Sequence, residues 1–161
     1  MKSGLDPIAS PASRVLILGT MPGEKSLACQ QYYANPNNQL WKLLSAILAE
    51  PTPISYEDRV RFLLRQDIAV WDVLASCDRV GSSDSAIAEE LPNDFEQFFR
   101  RHTAIDVLFF NGKKAEALFR KHVTCKQGLA FATLPSSSPA CAMRFEHKAK
   151  AWVAIADALK R

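Results

Sequence analysis

The chain has 161 residues, 48% hydrophobic and 23% charged, with a net charge of +3, which suits one domain around a single core. No apolar run reaches the roughly 18 residues of a membrane span, and the opening MKSGLDPIASPAS lacks the apolar segment of a secretory signal, so a cytoplasmic protein is expected. The four cysteines, Cys29, Cys77, Cys125 and Cys141, include no CxxC pair; they lack the usual zinc spacing and read as reduced structural thiols.

Residues 1–13, rich in Pro, Ser and Gly, read as a loose tail ahead of one domain, 14–161. Arg14 to Leu18 is a short apolar run closed by Gly19 and reads as a buried strand. A long loop, 19–37, follows. Asn37 or Asn38 is placed to cap a helix through Leu40, Trp41, Leu43, Leu44, Ile47 and Leu48, which Pro51 and Pro53 end. Tyr56 to Arg65 reads as a second helix. Ile68 to Trp71 is the second strand, with Asp72 at its end and a polar loop to residue 84. Residues 85–102 read as helical with a break near Pro92 and a cap at Asn93 or Asp94. Ile105 to Phe110 is the third strand, stopped by Asn111-Gly112. Lys113 to His122 is a helix, Leu129 to Leu134 the fourth strand, PSSSPA a second special loop, and Arg144 to Lys160 a closing amphipathic helix.

Strands that alternate with helices imply a mostly parallel sheet covered on both faces. Ligands of such folds bind at the carboxyl ends of the strands. The loops 19–37, 72–84, 111–112 and 135–143 therefore meet on one edge.

Charge is unevenly distributed. Residues 1–99 carry 8 Lys and Arg against 13 Asp and Glu, a net of −5, and residues 100–161 carry 12 against 4, a net of +8. The basic pairs Arg100-Arg101, Lys113-Lys114, Arg120-Lys121 and Lys148-Lys150 are compatible with a polyanionic partner and equally with a solvated surface. Gly19-Thr20-Met21-Pro22-Gly23 is a rigid turn whose backbone another group can approach closely. Of Tyr32 and Tyr33, one is expected to pack under the loop and one to stack on a flat heterocycle. Small hydroxyl residues between prolines suit a stiff loop that donates to phosphate oxygens. A serine hydrolase is disfavoured: there is no G-x-S-x-G elbow, and His147 has no evident acidic orienter. His102 and His122 read as helix-end residues.

Taken in order, G19-T-M-P-G23, Y32-Y-A-N-P-N-N-Q-L-W41, W71-D-V-L, N93-D-F, F110-N-G-K and L134-P-S-S-S-P-A140 resemble the uracil-DNA glycosylase superfamily, most nearly its hypoxanthine-DNA glycosylase branch and more distantly the mismatch-specific uracil and thymine glycosylases. The resemblance implies a three-layer α/β/α sandwich with a short, mostly parallel four-stranded sheet. It implies an enzyme of base excision repair that flips a deaminated base from double-stranded DNA and hydrolyses its N-glycosidic bond, without metal or cofactor and as a monomer. It makes Asn38 the water-positioning residue. It places Gly19, Thr20, Met21, Pro22, Gly23 and Tyr33 in the base pocket, with Tyr33 stacking on the flipped base. Ser136, Ser137, Ser138 and Pro139 then press on the DNA backbone, and Lys113 and Lys114 face phosphates. Two positions depart from the family pattern. Met21 stands where the mismatch-specific relatives carry an asparagine, and Ser136 stands nearest the usual histidine or asparagine of the second motif. Asp72 is open to two readings, accepting from hypoxanthine N1–H or capping its loop; Asn111 likewise reads as a pocket or a turn residue. The competing functions are a uracil or mismatch glycosylase of the same fold and a non-catalytic nucleotide-binding module.

Overall fold

Residues 1–124 and 128–161 are described by the structure, a computed structural model. Among the described residues, seven strands and six α-helices follow in chain order: β1 (Lys2–Ser3), β2 (Val15–Gly19), α1 (Glu24–Cys29), α2 (Leu40–Leu48), α3 (Tyr56–Arg65), β3 (Ile68–Asp72), β4 (Leu74–Asp78), β5 (Ala88–Pro92), α4 (Phe95–Arg101), β6 (Val107–Asn111), α5 (Lys113–His122), β7 (Ala130–Leu134) and α6 (Phe145–Leu159). The central sheet is parallel throughout, in the order β3-β2-β6-β7. Both β2 and β3 are buried along their whole length, which is why they read as unbroken apolar runs.

The strand order explains where a site forms. From β2 the chain steps to β3 on one side, then returns past β2 to β6 and β7 on the other. Right-handed crossovers in opposite directions put α2 and α3 on one face and α4 and α5 on the other, the α/β/α layering expected of the sequence. α6 returns to pack against α2 and across β2 and β7. The sheet reverses its order at β2, so a crevice opens at the carboxyl ends of β2 and β6. Register then sets the floor of that crevice. Gly19 pairs with Asp72, Leu18 with Phe110, and Asn111 with Leu134, so Asp72, Gly19, Asn111 and Leu134 end four strands in one row.

Two expectations are corrected. First, the residues read as a loose tail are tied down. Lys2 and Ser3 pair with Cys77 and Ser76, Ile8 bridges Val70, and the carbonyl of Leu5 accepts from Trp71 Nε1 (3.2 Å) and Tyr32 Oη (3.1 Å). Second, residues 85–102 are not one broken helix. A 3-10 turn (Asp84–Ala86) leads into β5, and only Phe95–Arg101 is α-helical, with Asp94 accepting from Gln97 N–H. β1, β4 and β5 form a small antiparallel sheet, drawn from the segments read as tail, polar loop and helix. Glu89 at φ 49 and shifts in the β4–β5 register mark a bulge, which helical spacing of Ile87 and Leu91 does not reveal. Pro92 is tolerated because β5 is an edge.

The N-terminal strap generates a prediction. Removing residues 2–6 deletes the acceptors of Trp71 Nε1 and Tyr32 Oη, two bonds worth about 1 kcal/mol each. Urea denaturation should show a loss of about 2 kcal/mol relative to the intact chain.

Candidate active site

The crevice is a cleft of about 650 Å³, within the about 300–1,000 Å³ range of small-molecule sites. Its walls are the GTMPG loop, Tyr33 and Asn38, the strand ends Asp72 and Asn111, Lys113-Lys114 and the serine loop. Every residue picked from the sequence therefore reaches one cleft.

Gly19 decides its geometry. A Cβ there would stand 2.5 Å from Asp72 Oδ1 and 2.9 Å from Tyr33 Oη, so only glycine lets these two side chains converge over the end of β2. Tyr33, at φ 51, leaves its helix-loop backbone in a left-handed turn; its ring meets Trp41 edge-on at 6.4 Å, and its carbonyl accepts from Trp41 Nε1 (3.1 Å). Tyr32 is buried, and its hydroxyl donates to the Leu5 and Asp6 carbonyls. The two tyrosines thus divide between the core and the cleft wall. Burial, reinforced by the Asp72 charge, pushes the Tyr33 phenol well above its ordinary range, so it stays neutral.

Asn38 Oδ1 accepts from Leu40 N–H (3.0 Å), which fixes the amide at the mouth of α2. The oxygen keeps a second lone pair. Asn37 is exposed and does not cap the helix. Asn111 is neither a simple turn residue nor a free reader. Its Nδ2 donates to Ser137 Oγ (2.9 Å) and Tyr33 Oη (3.2 Å), and Ser137 N–H donates back to its Oδ1 (2.8 Å). Both amide hydrogens are committed, and the residue fastens the serine loop to the end of β6. In that loop, Ser136 Oγ accepts from Ser138 N–H (3.1 Å) and Ser138 Oγ from Ala140 N–H (3.1 Å). Each hydroxyl retains its own proton for an outside acceptor.

Asp72 does not cap its loop with its side chain. Its carbonyl accepts from Asn93 Nδ2 (2.8 Å), but its carboxyl is 5% exposed, and Oδ2 is buried without a partner. Asp72 lines the cleft as a residue, while its Oδ2 is itself enclosed. Desolvation, with help from the Asp84 charge and against that of Arg79, raises its pKa from 3.8 to about 7. Met21 is buried, its sulfur against the backbone near Gly4, and it presents no polar atom to the cleft.

Several contributors escaped the sequence reading. Arg79, with a fully buried side chain, donates through Nη2 to the Pro22 carbonyl and stands 3.7 Å from Asp84, which in turn accepts from Thr20 Oγ1 (2.7 Å). Ser82 Oγ accepts from Glu24 N–H (2.8 Å). The segment after β4 thereby underpins the GTMPG loop. The basic half is also less open than its composition suggests. Arg120 is engaged by Glu116, Lys121 by Glu90 and Arg100 by Glu96. Lys148 is wholly buried. Lys113 and Lys114 are exposed at the cleft, on the first turn of α5, whose Gly112 provides no side-chain cap. Cys29, Cys77 and Cys141 are free thiols; Cys125 lies outside the described residues. Among the described residues no three His, Cys, Asp or Glu side chains gather as metal ligands, and no helix is long and apolar enough to cross a membrane.

A family model, the uracil DNA glycosylase superfamily, matches residues 7–160. The chain belongs to that superfamily. It is 33% identical over 161 residues to a hypoxanthine DNA glycosylase of Methanosarcina acetivorans, covering 96% of this chain and 98% of that one. It is 33% identical over 164 residues to a hypoxanthine DNA glycosylase of Methanosarcina barkeri, covering 99% of both. The solution NMR structure of a candidate uracil DNA glycosylase from Methanosarcina acetivorans superposes with a TM-score of 0.84 at 32% identity, covering 99% of each chain.

Two tests follow for this superfamily member. Gly19→Ala forces Asp72 and Tyr33 apart, and should abolish base release while leaving the circular dichroism spectrum unchanged. Asp72 also makes stability depend on pH. A carboxyl whose folded pKa exceeds its unfolded value binds its proton more tightly in the native state, so stability falls as pH rises from about 4 to about 7. Asp72→Asn removes that loss. Thermal melts should give a higher Tm than wild type at pH 8, the difference shrinking as pH falls and closing near pH 4.

Proposed function

We propose that this enzyme is a monofunctional hypoxanthine-DNA glycosylase, acting as a monomer on deaminated bases in double-stranded DNA within the cytoplasm. As a superfamily member it is a DNA glycosylase that hydrolyses N-glycosyl bonds. The observation that carries the substrate reading is Asp72, a desolvated carboxyl that lines the cleft and whose Oδ2 has no hydrogen-bond partner. Deamination of adenine turns N1 from an acceptor into an N–H donor and the exocyclic amine into a carbonyl. A carboxylate at that edge accepts from hypoxanthine N1–H and opposes the adenine N1 lone pair, and the wrong base leaves a buried oxygen unpaired.

The flipped base enters the cleft because the reacting atom is inaccessible within the stack. Tyr33 provides a stacking face, worth about 1–3 kcal/mol. Ser136 and Ser138 hydroxyls, with Lys113, Lys114 and the uncapped first turn of α5, hold flanking phosphates. The C1′–N9 bond breaks with its electron pair leaving on the base, and the sugar gains oxocarbenium character. Asn38 holds the water that bonds to C1′ and loses a proton to solvent, while the base acquires one. An amide is no general base at neutral pH, so its contribution is position and dipole. No lysine is required as a nucleophile, and the products are a free base and an abasic site.

Duplex oligonucleotides carrying one deoxyinosine, deoxyuridine or deoxyxanthosine, with alkali to reveal abasic sites, test this reading. Deoxyinosine should be cleaved fastest. Asn38→Ala should lower the rate by about 10²-fold or more with DNA binding retained. Dominant uracil release would move the substrate to another branch of the family, and no abasic sites on any duplex would remove the activity. The Asp72 assignment has its own signature. Its acceptor form grows as pH rises through about 7, so deoxyinosine cleavage should climb between pH 6 and 8, and Asp72→Asn should flatten that profile.

A further inference from the structure

Lys148 lies on the apolar side of α6 with Trp152 and Ile155 and is fully buried. Its Nζ donates to Gln39 Oε1 (2.9 Å) and to the Ser138 carbonyl (3.2 Å). Among the described residues no carboxylate stands within ion-pairing distance of it. Burying an ammonium against neutral dipoles alone is a poor route to stability, since an apolar side chain of similar volume generally does as well or better. The contacts suggest what the charge does instead. Gln39 immediately follows Asn38, and its own N–H donates to the Ser137 carbonyl (2.9 Å). Asn38 Oδ1 is held by Leu40 N–H on the other side of Gln39. The serine loop has further anchors, Asn111 at Ser137 and Trp152 Nε1 at the Pro135 carbonyl (2.9 Å). The turn carrying Asn38 is joined to that loop through Gln39.

We propose that Lys148 is a positioning residue for base excision, its ammonium joining Gln39 to Ser138 so that the phosphate-facing serine loop and the water-holding Asn38 are set as one unit. The inference rests on the glycosylase reading above. Because the loop has other anchors, losing the joint displaces Asn38 more than it weakens the grip on DNA. A small displacement of a group that orients a reactant is enough to slow chemistry by up to about 10²-fold.

The test compares Lys148→Met, Gln39→Met and the double variant in single-turnover cleavage of a deoxyinosine duplex at saturating enzyme. DNA affinity and the 15N-edited resonances of the Asn38 side-chain amide are followed in parallel. Each single variant should lose about ten- to hundredfold in rate with DNA Kd changed less than about threefold, and the double should lose no more than the worse single, because one link is cut twice. The Asn38 amide resonances should shift in both. Rates within about threefold of wild type, or losses that multiply in the double variant, overturn the proposal. Should Lys148→Met fail to fold, Gln39→Met decides by the same two readouts. A wild-type chain that cleaves no deoxyinosine refutes the hypoxanthine reading instead; the amide resonances then decide the coupling without it, and unmoved resonances overturn it.

Discussion

The site depends on a side chain that is not there. Parallel register sets Gly19 beside Asp72 at the point where the sheet reverses its strand order. With no Cβ at that position, a carboxylate from β3 and a phenol from the following loop share the space above one Cα. Any other residue there would fill the floor of the cleft. The backbone of β2 is fixed by burial and by ladders on both sides, so it has little freedom to yield. The close approach is therefore imposed by the core beneath it.

Polar groups around this floor fall into two kinds. Asn111, Ser137, Gln39 and Lys148 are mutually satisfied and act as scaffolding. Asp72 is the exception on the cleft wall, a desolvated carboxyl with an oxygen left unpaired. An unpaired buried acceptor costs the fold about 1–3 kcal/mol. The surrounding network over-determines the local structure, so that cost is tolerated. On the proposed reading, this division separates residues that build the pocket from the residue that reads what enters it. It also explains why Asn111, which looked equivalent to Asp72 as a polar residue at a strand end, has a different part: Ser137 and Tyr33 have already taken its hydrogens.

Much of this was legible in the sequence because the signals were local. Four apolar runs, each followed by a special loop, announce a parallel sheet whose loops share an edge, and the cleft gathers the residues of those loops. The ends of α3 and α5 follow from their own residues, a Ser55 cap and Gly112. What stayed hidden was non-local. The small antiparallel sheet depends on pairing of residues 2–3, 74–78 and 88–92, and a bulge at Glu89 obscures its period. Arg79 sits in a loop with no pattern around it, and only the folded chain shows that it supports Pro22. Lys148 carried a legible clue, since it lies four residues before Trp152 and seven before Ile155, on the face the helix buries. Composition grouped it with Lys150 as surface charge, whereas periodicity places it inside.

That reassignment alters the electrostatic picture of the whole chain. A net charge of +8 in the last 62 residues suggests a broad basic face. Three of the four basic pairs instead contain a residue turned to structure or to an acidic neighbour: Arg100 with Glu96, Arg120 and Lys121 with Glu116 and Glu90, and Lys148 in the core. Lys113 and Lys114, with the adjoining first turn of α5 and the serine hydroxyls, form a narrow strip of donors at one lip of the cleft. On the proposed reading, a strip of that size suits a few phosphates next to a flipped nucleotide rather than a long stretch of duplex. Recognition is then assigned to the cleft itself, to the shape set by Gly19, the face of Tyr33 and the carboxyl of Asp72. In the mechanism proposed above, those fixed positions and a water held by Asn38 do the work of catalysis by position and dipole.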